Sequence, residues 1–245
     1  MVPRILPILL LTIIGSYCQA AETWETEYDR LLGRYVTEQG VRYEAWHRST
    51  EDRRKLENIA QAIAQTRPGN ASKSTKLAFY LNAYNALILH EILRDYPTAG
   101  PGGSGFIGRN LFFRHRKIRV AGQVTTFHKL ENDVIRREFS EPRIHFALNC
   151  ASRSCPPLHT RAFTGDSLET TLEALTRSFI TSNPRALRRI SDGGIEISKI
   201  FDWYADDFAP FGGVRAFMNR YLEPSLSSDE TIRHQDYDWS LNQVP

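Results

Sequence analysis

The chain has 245 residues, a net charge of +3, 41% apolar residues and 24% charged residues, ordinary globular usage that excludes a disordered or collagen-like polymer. So small a charge, with basic residues scattered among acidic ones, excludes a nucleic-acid track, and Arg136-Arg137 and Arg188-Arg189 read as solvated faces. The length suits one large domain with a well-buried core.

Arg4 precedes an apolar run from Ile5 to Ile14, followed by Gly15, Ser16 and Cys18-Gln19-Ala20-Ala21. This is the build of a secretory signal peptide. Residues 1–20 are therefore expected as a leader cleaved after Ala20, and residues 21–245 as a single domain. A bilayer span needs about 20 apolar residues; this run is about half that and contains Pro7, so no stable membrane span is expected once the leader is removed. Cys18 offers a lipid anchor, which the bulky Tyr17 before it disfavours. The expected destination is the periplasm or the medium.

Trp24, Tyr28, Leu31, Leu32 and Tyr35 recur at helical spacing and predict an opening amphipathic helix. A second helix spans about residues 51–64 and ends at Arg67-Pro68-Gly69-Asn70. The third, capped by Ser72 or Ser74, carries Leu77, Tyr80, Leu81, Tyr84, Leu87, Ile88 and Leu93, a face wide enough to predict burial, and stops at Tyr96-Pro97. Gly100-Pro101-Gly102-Gly103-Ser104-Gly105 lacks the Lys-Ser/Thr pair of a phosphate loop and reads as a flexible surface loop.

Lys117–Val120 and Val124–Phe127 flank Ala121-Gly122-Gln123, a hairpin signature. A helix over about residues 129–138 is followed by the apolar run Ile144–Leu148, expected as a buried strand. Asp166 or Ser167 opens a helix to about Thr181, and a turn at Asp192-Gly193-Gly194 joins Leu187–Ile190 to Ile195–Ile197. Lys199–Tyr221 reads as helical with a break at Pro210-Phe211-Gly212-Gly213. Without regular strand–helix alternation the expected class is α+β: a helix-rich single domain around a small, mostly antiparallel sheet with hairpins.

Beyond the leader only Cys150 and Cys155 remain, and in an oxidising compartment they can close one small disulfide loop. They lie in Asn149-Cys150-Ala151-Ser152-Arg153-Ser154-Cys155-Pro156-Pro157, the densest polar knot of the chain. A thiol reacts as thiolate, so a histidine, arginine or backbone N–H must lower its pKa. His128, His145, His159 and Arg153 are the candidates nearby. On an extended strand His145 and Cys150 would point to opposite faces, so His145 stands equally as a core histidine or a base. Asn82 and Asn85, three apart in an apolar helix, must be hydrogen-bonded; they either line a pocket or tie down a loop backbone. Glu131, and Asp202 within Ile200-Phe201-Asp202-Trp203-Tyr204, are the carboxylates that stand out. Neither Cys-x-x-Cys nor a paired His-x-x-x-His is present, so no metal and no cofactor is expected.

Five segments together resemble the bacterial branch of the domain of unknown function 547 family: Leu77–Leu87, Arg143–Leu158, Leu172–Phe179, Ser198–Tyr204 and Tyr237–Asn242. The family has no agreed activity. Some animal members join this domain to a glutaredoxin, which implies thiol or glutathione chemistry. Plant members keep the position of Cys150 but not that of Cys155, which implies that the first cysteine is the functional one. Many members carry Glu-His where this chain has Glu131-Asn132, so a histidine role is missing at that point.

Three readings stand side by side. One is a cysteine-dependent hydrolase or acyltransferase acting on amide or peptide-like substrates. Here Cys150 is nucleophile and His145 base, supported by Glu131, with Asn82, Asn85, Ser152, Arg153 and Asp202 as substrate contacts. The second is a thiol–disulfide or glutathione-linked redox protein using Cys150 and Cys155. The third is a non-catalytic module for a small-molecule or peptide-like ligand.

Overall fold

A computed structural model describes residues 23–103, 105–190 and 194–244. The expected leader, Cys18, Ser104 and the Asp192-Gly193 turn lie outside the described residues.

Helix α1 (Trp24–Tyr35) starts where the Thr23 hydroxyl accepts the Thr26 N–H, and it buries Tyr28, Leu31, Leu32 and Tyr35. A two-residue hairpin, β1 (Val36–Thr37) and β2 (Gly40–Val41), leads into α2 (Tyr43–Arg48) and α3 (Thr50–Gln65). Of the two capping serines expected for α4 (Lys73–Asp95), Ser72 does the work by accepting the Thr75 N–H. This helix is the axis of the larger core: fifteen of its 23 residues are buried, including both asparagines.

The chain then forms α5 (Phe106–Asn110), which widens into a π-helical turn over Leu111–His115, and the hairpin of β3 (Ile118–Val120) and β4 (Gln123–Thr125). The next helix runs without interruption through α6 (Phe127–Lys129), a π-helical stretch (Leu130–Arg136) and α7 (Arg137–Phe139). It covers the segment expected as a helix, but its wide turns place side chains off the 3.6-residue period. After α8 (Leu168–Ser182), β5 (Leu187–Arg189) and β6 (Ile195–Ile197) pair antiparallel in the expected register region, and β6 pairs in parallel with β7 (Ile232–His234). Between them lie α9 (Ile200–Trp203), α10 (Ala205–Phe208), a 3-10 turn (Ala209–Phe211) and α11 (Gly213–Asn219). The fold is helix-rich α+β, its mostly antiparallel strands divided among three sheets of two or three strands. No helix among the described residues is long and apolar enough to cross a membrane.

Two expectations are corrected. Ile144–Leu148 is not a strand: Pro142–Phe146 is a 3-10 turn with Pro142 in its first turn and the Glu141 carboxylate accepting the Arg143 N–H. A short apolar run reads alike as buried strand or buried turn, and Pro142 with its cap decides for the turn. The Gly100 end of the glycine-rich loop is packed rather than loose: Gly100 is buried, and a β-carbon there would lie 2.4 Å from the Trp239 carbonyl oxygen. The Leu241 N–H donates to Ala99 O at 2.9 Å, so the C-terminal segment lies across this loop.

The apolar core falls into two clusters. The larger surrounds α4, and the smaller joins Phe179, Phe201, Phe208 and Phe217 around Phe146. Ile144 and Ala147 belong to the first cluster and Phe146 to the second, so the 142–146 turn forms the seam. His145 lies at that seam.

Candidate functional site

The cysteine loop is held by amides. Asn85 Nδ2 donates to Ala147 O and its Oδ1 accepts the Asn149 N–H, both at 2.9 Å. Asn149 in turn donates to Pro156 O at 2.8 Å and accepts the Ala151 N–H at 2.9 Å. Ala151 thereby adopts a left-handed backbone, φ 63°, uncommon for a side chain with a β-carbon. From the other side the C-terminal segment straps the loop: Arg153 N donates to Ser240 O, and Asn242 N to Ala151 O.

Asn82 makes the same two-bond clamp, at 2.9 and 2.8 Å, on the backbone of Phe163. Both helix asparagines are thus consumed by loop backbone, and neither lines the cavity at the cysteine loop. Asp202 is also absent from it; it is exposed and pairs with Lys199 at 3.2 Å. Ser152 and Arg153 line a second cavity of about 30 Å³, which shares the Cys155 wall with the first.

A cavity of about 350 Å³ at the cysteine loop brings together Cys150, Cys155, His145 and Glu131. Because His145 sits in a turn rather than a strand, the opposite-face argument lapses, and histidine and cysteine reach the same space. The two sulfurs are bonded to each other, with their Cα atoms 6.3 Å apart.

Their surroundings differ. Cys155 is 5% exposed and its Sγ receives the Cys150 N–H at 3.0 Å and the Tyr237 hydroxyl at 3.2 Å. Cys150 is half-buried; its Sγ lies 3.0 Å from Ser152 Oγ and 3.5 Å from the Tyr237 hydroxyl, which is nearer Cys155, while Ser152 Oγ is 3.5 Å from Cys155 Sγ. Burial pushes the Tyr237 phenol up, which keeps it a donor.

His145 Nε2 lies 2.7 Å from Asp207 Oδ2, and its ring stacks on Tyr204 with centroids 3.9 Å apart. Arg136 grips the same carboxylate through Nε and Nη2, at 2.7 and 2.8 Å, and its guanidinium lies over the Tyr204 ring, 4.8 Å from the centroid. Burial works against the charge of Asp207, but the hydrogen bonds from His145 and Arg136 outweigh it and hold its carboxyl well below the usual carboxylate range. His145 Nδ1 makes no hydrogen bond to any described residue, while the ring lines the cavity.

Glu131 receives two phenols, Tyr204 at 2.5 Å and Tyr84 at 3.1 Å. Its carboxylate raises both, after burial as the larger cause. Glu131, Asn132 and Arg136 come from one π-helical stretch, and Phe113 and Arg114 from the other. Among the described residues no group of three or more His, Cys, Asp or Glu side chains is arranged to hold a metal ion.

Asp207, Tyr204, Tyr84, Tyr237 and Arg114 belong to the site but carry no chemical signal in the sequence, and Arg136, expected on a solvated face, instead grips Asp207 at the cavity. Tyr84, Tyr204 and Tyr237 do fall within segments that carry the family resemblance.

Fold and site together define a helix-rich α+β protein with a cavity lined by a cystine and by His145, which Asp207 holds from behind the lining. Residues 68–180 match the model of the family described as Protein of unknown function, DUF547. The matched stretch spans α4, Glu131, His145 and the cysteine loop, and stops short of Tyr204, Asp207 and Tyr237. No curated protein and no solved structure matches the chain.

Proposed function

We propose that this chain is an exported member of the bacterial branch of its family, acting in the periplasm or medium through thiol–disulfide exchange at Cys150–Cys155. The observation that carries this reading is the unequal setting of the two sulfurs at the cavity wall. Exchange breaks the bond to the sulfur that leaves best as thiolate. Cys155 has a backbone N–H and a phenol already aimed at it, while Cys150 is the more accessible. An incoming thiolate attacks Cys150 Sγ, forms a mixed disulfide there, and expels Cys155 as thiolate. A second thiolate attacks the ligand sulfur of that mixed disulfide and releases Cys150, so two thiols become one disulfide and both cysteines end reduced. The leader-like N-terminus and the persistence of cystines in oxidising compartments support export.

The test is thiol counting on protein purified without reductant and then equilibrated in graded thiol–disulfide buffers. A bridge that opens and recloses across the buffer series is expected; one that stays shut throughout would be a structural staple and would overturn the reading.

A second reading, cysteine-dependent acyl transfer on an amide or peptide-like substrate, is favoured by one observation. Once the bridge opens, Cys150 shares its cavity with an imidazole already oriented by Asp207. Labelling of reduced protein by a thiol-reactive acyl probe should vanish in Cys150→Ala. Undiminished labelling in that variant sinks this reading.

A further inference from the structure

Three side chains lining the cavity of the cystine carry more donors than their neighbours accept. Arg114 Nη1 lies 3.0 Å from His128 Nε2, and Asn132 Nδ2 lies 3.1 Å from His128 Nδ1. A neutral imidazole offers one lone pair and one N–H, and a protonated one offers no lone pair at all. Either way at least one N–H is aimed at another N–H.

Turning the Asn132 amide over does not help. Its oxygen is fixed by Arg136 Nη1 at 2.5 Å, and its nitrogen by the His128 carbonyl at 2.7 Å. If Nδ1 takes the second Asn132 hydrogen, the ring N–H falls on Nε2 and faces the guanidinium. Burial and the nearby Arg114 hold His128 below the usual histidine range, in keeping with a neutral ring. The other cation, Arg136, is matched by Asp207. Arg114 is exposed and has no carboxylate partner among the described residues. Glu131, the nearest acid of the cavity, is occupied by its two tyrosines.

We infer that Arg114, His128 and Asn132 form a carboxylate-binding subsite, and that the substrates of the cystine are low-molecular thiols carrying a carboxylate. One carboxylate seated between Arg114 and His128 Nε2 accepts both stranded donors, through charge-assisted bonds. The thiol then reaches toward Cys150 across the same cavity. The thiol half of this inference rests on the exchange reading above; the carboxylate half rests on the donor geometry alone.

The experiment compares opening of the bridge by 3-mercaptopropionate, 2-mercaptoethanol and cysteamine. Each rate is divided by that of the same thiol with a free small-molecule disulfide at the same pH, which removes intrinsic thiol reactivity. The carboxylate thiol should be favoured over the neutral one by about tenfold, the order contributed by one charge-assisted hydrogen bond, with the cationic thiol last. Arg114→Gln should erase the preference, and Arg119→Gln, an exposed arginine outside the cavity, should keep it. Equal normalised rates would overturn the subsite while leaving exchange intact.

Binding of 3-(methylthio)propionate, which cannot react, separates the two claims. Perturbation of the His128 ring resonances in the parent protein but not in Arg114→Gln supports the subsite even if no thiol opens the bridge, an outcome that would end the exchange reading. No perturbation, together with no preference, removes the inference.

Discussion

The imidazole of His145 and the carboxylate of Asp207 meet at 2.7 Å although 62 residues separate them in the chain. The contact links the 142–146 turn to α10, and it fixes which nitrogen of His145 faces the carboxylate and which is left toward the cavity. Arg136 closes the arrangement from the π-helical stretch, so three elements converge on one carboxylate.

Asp207→Asn tests this convergence. Because the folded-state pKa of Asp207 lies below its unfolded value, its contribution to stability is present above about pH 3.9 and is lost as pH falls toward the folded value. Urea unfolding of parent and variant should differ most near neutral pH and converge in acid. A stability gap that stays constant down to about pH 2 would contradict the assignment.

Tyr237→Phe removes the phenol donor on Cys155 Sγ and leaves the Cys150 N–H and the more distant Ser152 hydroxyl. The expected result is slower opening of the bridge by small thiols, by roughly severalfold for one lost hydrogen bond to a developing thiolate. An unchanged opening rate would mean that Cys155 is not the leaving sulfur.

Asn85→Ala should cost about 2–5 kcal/mol, since it leaves the buried Ala147 carbonyl and Asn149 N–H without partners. Asp202→Asn, on an exposed residue in a weak surface pair, should stay within about 0.5 kcal/mol. Denaturant titration of both variants checks the contrast, and comparable losses would remove the structural role given to Asn85.

Histidine titration by NMR should separate the rings by environment. Burial alone would lower His90, but its hydrogen bonds to Glu91 and Glu57 outweigh it and raise the pKa. His128 and His159 are lowered, chiefly by burial. The raised pKa of His90 gives stability that is full below about pH 6.5 and fades as pH rises through the folded value. His90→Asn should therefore lose more stability at about pH 5.5 than at about pH 9. The opposite pH trend would refute the ion-pair assignment.

Much of the scaffold was legible because amphipathic period and punctuation agree: α1, α3, α4, α8 and the hairpins at 118–125 and 187–197 lie close to where residue spacing places them. The site was legible only in part. Cys150, Cys155, His145 and Glu131 stood out by residue type, and the structure brings all four to one cavity. Asn82 and Asn85 stood out as well, but the backbone groups of two loops claim them. Asp202 drew notice through its aromatic neighbours, yet the helix breaks at Tyr204, φ −118° and ψ 26°, before α10 begins. That break resets the helical phase, so Asp207 and not Asp202 turns toward His145.

By itself the sequence determined the elements whose causes are local: helical faces, caps, turn residues and a cysteine pair close enough to bridge. The tertiary structure alone decided which sulfur is cradled by donors, which carboxylate orients the histidine, and which arginine of the cavity lies without a carboxylate partner among the described residues. Those depend on side chains meeting from distant segments through wide π-helical turns and a broken helix. No fixed residue spacing encodes such meetings, because a single extra residue in a turn swings every later side chain to a new direction.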